Sequence, residues 1–222
     1  MTMFHVCNDF AGRENFVSIA TNVDNAEQSH AAIIIRYQSV NYLYHYPGVV
    51  WPTIQRDAPP DQWGVFSIIK SIKTEDEVGA VLAFCNEVCK HARPQYEFLG
   101  PQGQFNPKGR FVSYHNLPEA YTCVGFCICT LNRILPEAGG QYLDLDDWPV
   151  YVDHSSLSRR GLANLQGSYP NVDWDSLEQH RKRVRPDEYF CTSFITDYPI
   201  RKARIDSLMP SVKVSICQKF GS

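Results

Sequence analysis

The stretch from Tyr121 to Leu135 constrains this chain more than any other. It is almost entirely apolar and reads as a buried helix. Pro118 and Glu119 suit the approach to a helix, and Thr122 is a fitting N-cap just before the apolar run. That places Cys123 in the first turn. A thiol there feels the positive end of the helix dipole and the open backbone N–H groups, which favour the thiolate, the nucleophilic form of cysteine. The same N–H groups can hold an oxyanion in a tetrahedral intermediate. The competing reading is that Cys123 is one more small apolar residue of a core helix.

Bulk properties narrow the field. The chain has 222 residues, enough for one large domain, and a formal charge of −3 that gives no general attraction to nucleic acid or anionic membrane. The first residues lack the basic and apolar regions of a secretory signal, and no apolar run is long enough to span a bilayer. The expected compartment is therefore the cytoplasm, or the outside by a route that needs no cleaved signal peptide. Five of the eight cysteines cluster, Cys85 with Cys89 and then Cys123, Cys127 and Cys129, and pairs one helical turn apart favour packing over disulfides. Structural zinc, for example through Cys85, Cys89 and His91, is disfavoured because no tight Cys-x-x-Cys knuckle is present. No metal and no cofactor are expected.

Along the chain, strands are expected over 15–21, His30–Tyr37, Val40–Tyr46 and Val65–Ile72. Gln38 and Ser39 turn the second of these into the third, and Pro47-Gly48 ends it. Thr74 with Glu77 makes a capping box for a helix that carries Val78, Val81, Leu82, Cys85, Val88 and Cys89 on one stripe and stops at Arg93-Pro94. Phe111–Tyr114 is a further strand leading to the Cys123 helix. Beyond 140 the pattern weakens: helices are expected over 157–165 and 175–184, and short strands in the tail, such as Val212–Cys217. The basic run 181–185 reads as a solvated helix face. The simplest account is a single α+β domain, with a core over 28–135 and a C-terminal elaboration over 140–222.

Thiol hydrolysis needs a histidine to take the proton of the cysteine and a polar group to orient that histidine. His30 opens an apolar strand, and His45 lies near the end of its partner strand. In a hairpin centred on Gln38 and Ser39, positions 30 and 45 are close to being cross-strand neighbours.

These motifs, in this order, resemble the circularly permuted branch of the NlpC-type, papain-like cysteine hydrolases. That branch includes the lecithin:retinol acyltransferase-like and the bacterial YiiX-like proteins. The resemblance rests on His30 opening an apolar strand, His45 before Pro47, and Cys123 heading a helix with Phe126 three residues on. The segment from Arg93 to Phe98 is similar to the Pro-Tyr-Asp-Phe-type segment of the YiiX-like group. The resemblance covers about residues 28–135. Two features depart from the acyltransferase-like pattern: the histidines stand further apart, and Val124-Gly125 follows the cysteine. The resemblance implies an antiparallel sheet packed on the cysteine helix. Cys123 would be the nucleophile, His30 the general base and His45 its orienting partner. The Cys123 N–H and Thr122 would lie around the oxyanion and substrate, and Tyr121 would either add a hydroxyl there or, the favoured reading, be a buried aromatic.

The expected activity is hydrolysis of an amide bond in a peptide, a peptidoglycan stem peptide or an isopeptide. Alternatives are a lipid acyl or thioester hydrolase or acyltransferase, and a non-catalytic binding protein on the same fold. The implied partner is a peptide or acyl substrate, and the sequence is silent on oligomeric state. Specificity is expected to reside in the loops 47–63 and 99–110 and in the C-terminal part.

Overall fold

A computed structural model describes residues 4–6, 13–24, 27–57, 64–97, 100–151, 163–174 and 178–220. The architecture is α+β. A six-stranded sheet has the order β1-β6-β2-β3-β4-β5, with β1 at His5–Val6, β2 at Phe16–Asp24, β3 at Glu27–Tyr37, β4 at Val40–His45, β5 at Thr53–Arg56 and β6 at Val65–Ile68. Every pairing in this sheet is antiparallel. The β3–β4 hairpin turns at Gln38 and Ser39, both in the left-handed region with φ of 49° and 64°. This is the backbone of a two-residue turn that matches strand twist.

Strand alternation divides β3 between two cores. Ala31, Ile33 and Ile35 join the main core, whereas Ala32 and Ile34 join a smaller cluster with Phe16, Ala20, Leu43 and Phe66. Four helices contribute to the main core: α1 (Glu75–His91), α2 (Cys123–Ile134), α3 (Pro186–Thr192) and α4 (Lys202–Phe220). The capping box of α1 forms as expected, with Thr74 Oγ1 accepting from the Glu77 N–H at 3.2 Å and Glu77 Oε2 accepting from the Thr74 N–H at 2.9 Å. A short hairpin of β7 (Gly103–Phe105) and β8 (Phe111–Ser113) leads to α2, and β9 (Leu143–Asp144) pairs in parallel with β10 (Ile200–Arg201).

The C-terminal part differs most from expectation. Val212–Cys217 is not a strand but part of α4, because Ile205, Met209, Val212 and Ile216 form a buried helical stripe. Pro210 is accommodated inside that helix. The helix expected over 175–184 is not formed at 181–184: Glu178–His180 is a single 3-10 turn, after which Lys182 bridges to Val150. Residues 175–177 lie outside the described residues, as do 157–162 of the other expected helix; residues 163–168 are helical. Strand β6 stops at Ile68, four residues before the expected Ile72. The region 140–222 is bound to the sheet itself, since Tyr189 of α3 is fully buried and its hydroxyl donates to the Ala32 carbonyl at 3.1 Å.

Candidate active site

Cys123 is the first residue of α2, and its place follows from local chemistry. Thr122 has extended backbone, and its Oγ1 accepts from the Gly125 N–H at 3.3 Å. This satisfies one of the open donors of the first turn, as an N-cap should. The thiol is almost wholly buried, at 4% exposure. The Ala31 N–H, the Tyr96 hydroxyl, the Val124 N–H and its own N–H are close enough to the sulfur to favour its charged form. Cys127, one turn on, is fully buried.

The Ala31 contact locates the thiol relative to the sheet. In a hairpin closed by Tyr37 opposite Val40, alternate residues of β3 turn their N–H groups toward β4, and Ala31 is one of these. Strand β4 stops at His45, opposite Ala32, one residue short of facing Ala31. Pro47 and Gly48, at φ +87°, carry the chain away. The sulfur lies near the Ala31 N–H, just past the end of β4. It therefore lies beside β3, in the row that β4 has vacated.

His30 and His45 meet. His30 Nε2 and His45 Nδ1 are 3.1 Å apart, with the rings nearly perpendicular at 87°. The register corrects the sequence expectation in one detail: His45 stands opposite Ala32, so the histidines are diagonal neighbours on one face. By alternation that face is the one carrying Ala32 and Ile34, opposite to the face of Cys123, and the thiol comes near β3 at the Ala31 backbone, one residue from His30. Thr21 donates to the His30 carbonyl at 2.8 Å and fixes the strand at this point.

Two expectations change. Burial pushes the Cys123 thiol up, against the lowering by its four donors, so the resting group is the thiol and not the thiolate that its helix position alone favours. Tyr121 does not turn its hydroxyl to the thiol: the ring is buried at 1% exposure and the hydroxyl donates to Glu119 Oε1 at 2.7 Å. The tyrosine at the thiol is Tyr96, whose hydroxyl donates to the sulfur and whose oxygen faces the Cys123 N–H. The signal for Tyr96 was its place in the Arg93–Phe98 segment, ahead of the cysteine helix, but nothing in the spacing set it above Tyr121.

Both histidines are held neutral. Burial lowers His30, and burial together with the neighbouring His30 lowers His45 from 6.5 to about 4. At neutral pH the thiol is protonated and the two imidazoles, which meet each other on the Ala32 face of β3, are uncharged. Among the described residues, no group of three or more His, Cys, Asp or Glu side chains is placed to hold a metal ion, and no helix is long and apolar enough to cross a membrane. The seven described cysteines are all free thiols. No family model, curated protein or solved structure matches the chain.

Proposed function

We propose that this chain is a cysteine hydrolase cleaving an amide bond, built on the circularly permuted NlpC-type, papain-like plan. The observation that carries the reading is the environment of Cys123. Cys127 and Cys129 of the same helix each have a single donor nearby, whereas Cys123 has a tyrosine hydroxyl and three backbone N–H groups at a helix N-terminus, one of them from Ala31, the chain neighbour of His30. The mechanism assigns the His30 Nε2–His45 Nδ1 bond to the tautomer in which His30 Nε2–H donates and His30 Nδ1 is the acceptor. In the reaction His30 Nδ1 takes the Cys123 proton as the sulfur attacks the scissile carbonyl carbon. The Cys123 N–H and the Tyr96 hydroxyl stabilise the oxyanion. Collapse breaks the C–N bond, His30 returns the proton to the leaving amine, and water cleaves the thioester by the same base.

A second reading, a non-catalytic binding protein, is favoured by one observation: burial raises the thiol pKa. Iodoacetamide labelling across pH, mapped by mass spectrometry, separates the two. The hydrolase reading expects Cys123 to label ahead of the other thiols near neutral pH, more slowly in His30→Ala, and expects Cys123→Ala to keep the fold and lose all hydrolysis. Slow, uniform labelling of every cysteine would give the binding reading the lead.

A further inference from the structure

A cavity of about 580 Å³ lies between the turn after β4 and residues 94–96, lined also by Asn164, and Tyr96 is the wall that it shares with the thiol. Three consecutive large apolar side chains on that turn stand in water: Val49 is 92% exposed, Val50 59% and Trp51 56%. Such a run is costly on a surface with no task for it. It is also held in place. The Arg93 guanidinium lies 5.5 Å from the centre of the Trp51 ring and donates to the Lys90 carbonyl at 2.9 Å, which ties the tryptophan to the end of α1. A Cβ on Gly48 would stand 2.6 Å from the Tyr96 ring, so the turn is seated flush on that tyrosine. Tyr96 therefore presents its ring to the groove and its hydroxyl to the Cys123 sulfur.

We infer that this groove binds a large uncharged side chain, aromatic or branched aliphatic, next to the scissile amide of a peptide. The inference rests on Cys123 being the nucleophile. None of the described residues lining the groove carries a charge, and the nearby Arg93 guanidinium is engaged by the Trp51 ring and by backbone carbonyls, so a charged side chain would be desolvated there for little return. Gln95 and Asn164 add amide groups among the apolar walls, suited to a peptide backbone and wasted on an alkyl chain. Contact with the Tyr96 ring couples occupancy of the groove to the position of the thiol's own hydrogen-bond donor.

The test is alkylation of the full chain by peptidyl chloromethyl ketones, in which the Cys123 sulfur displaces chloride. Phenylalanyl, glutamyl and lysyl reagents are compared with an alkyl chloromethyl ketone, and each rate is divided by that of iodoacetamide, which needs no groove. The phenylalanyl reagent should exceed the glutamyl one by about 10-fold or more, the scale of discrimination by one apolar pocket. Trp51→Ala should remove most of that preference and leave the iodoacetamide rate unchanged; Val50→Glu should shift it toward the lysyl reagent. Equal ratios in the parent chain, or a preference that survives both variants, would overturn the inference. A faster alkyl reagent would overturn the peptide class and assign the groove to an acyl chain. If iodoacetamide itself spares Cys123, the nucleophile reading has failed and takes the inference with it.

Discussion

The two faces of β3 are built from one run of sequence and have opposite characters. One face, Ala31, Ile33 and Ile35, is sealed at 0% exposure under the helices. The other carries Ala32 and Ile34 in a cluster of six buried apolar residues and ends in a hydrogen-bonded histidine pair. Strand alternation alone would keep the thiol of the first face apart from the imidazoles of the second. The early end of β4 leaves the sulfur near the backbone N–H of Ala31, one residue along the strand from His30. The end of a strand can thus bring residues of different layers to neighbouring positions of one chain segment.

The largest effect should come from the polar end of the second face. His30→Ala is expected to lower hydrolysis by about 10²–10⁴-fold, the usual contribution of a general base, with the thiol still present and titratable. His45→Ala should cost less, since it orients and does not react. An equal or greater loss at His45, measured as kcat/KM, would exchange the two roles and break the proposed link through Ala31.

The two cores can be weighed by truncation. Ile33→Ala and Ile34→Ala remove the same atoms from opposite faces. Both should cost within the ~2–5 kcal/mol of buried large-to-small changes, with Ile33, under the helices, the more expensive. Urea unfolding that ranks Ile34 above Ile33 would make the small cluster the stronger core.

Proton linkage offers a third comparison. The folded chain holds His45 at about 4 against 6.5 for the ordinary ring, and His30 is shifted the same way. As pH falls, the unfolded chain binds these protons first. The contribution to stability is therefore intact above 6.5 and is lost as pH drops from 6.5 toward about 4. His45→Gln should flatten that part of the curve. A stability profile in that window identical for parent and variant would remove the histidine face from the account. The smallest change is Thr122→Ala, which should cost about 1 kcal/mol through loss of the α2 cap. It should also slow Cys123 alkylation if the first turn frays, whereas Thr74→Ala at α1 should destabilise without touching the thiol.

Reading the chain went furthest where the determinants are local. The Thr74–Glu77 box, the Thr122 cap and the Gln38-Ser39 hairpin each depend on residues within a few positions of one another, and each forms. The hairpin also brought His30 and His45 together, with an error of one diagonal step. The tail failed for the same reason in reverse. Val212, Val214 and Ile216 are β-branched and follow a proline, so local preference pointed to a strand. Burial of one helical stripe against the main core overrode it.

The sequence by itself determined which residues head α2, cap it and pair as histidines, because capping and hairpin register are short-range. Only the tertiary structure decided that Tyr96 and not Tyr121 reaches the thiol, that the thiol rests protonated, and that Val49 to Trp51 wall a groove that shares Tyr96 with it. Those outcomes depend on burial and on contacts between segments far apart in the chain. No spacing encodes how much water a packed neighbour removes from a buried group.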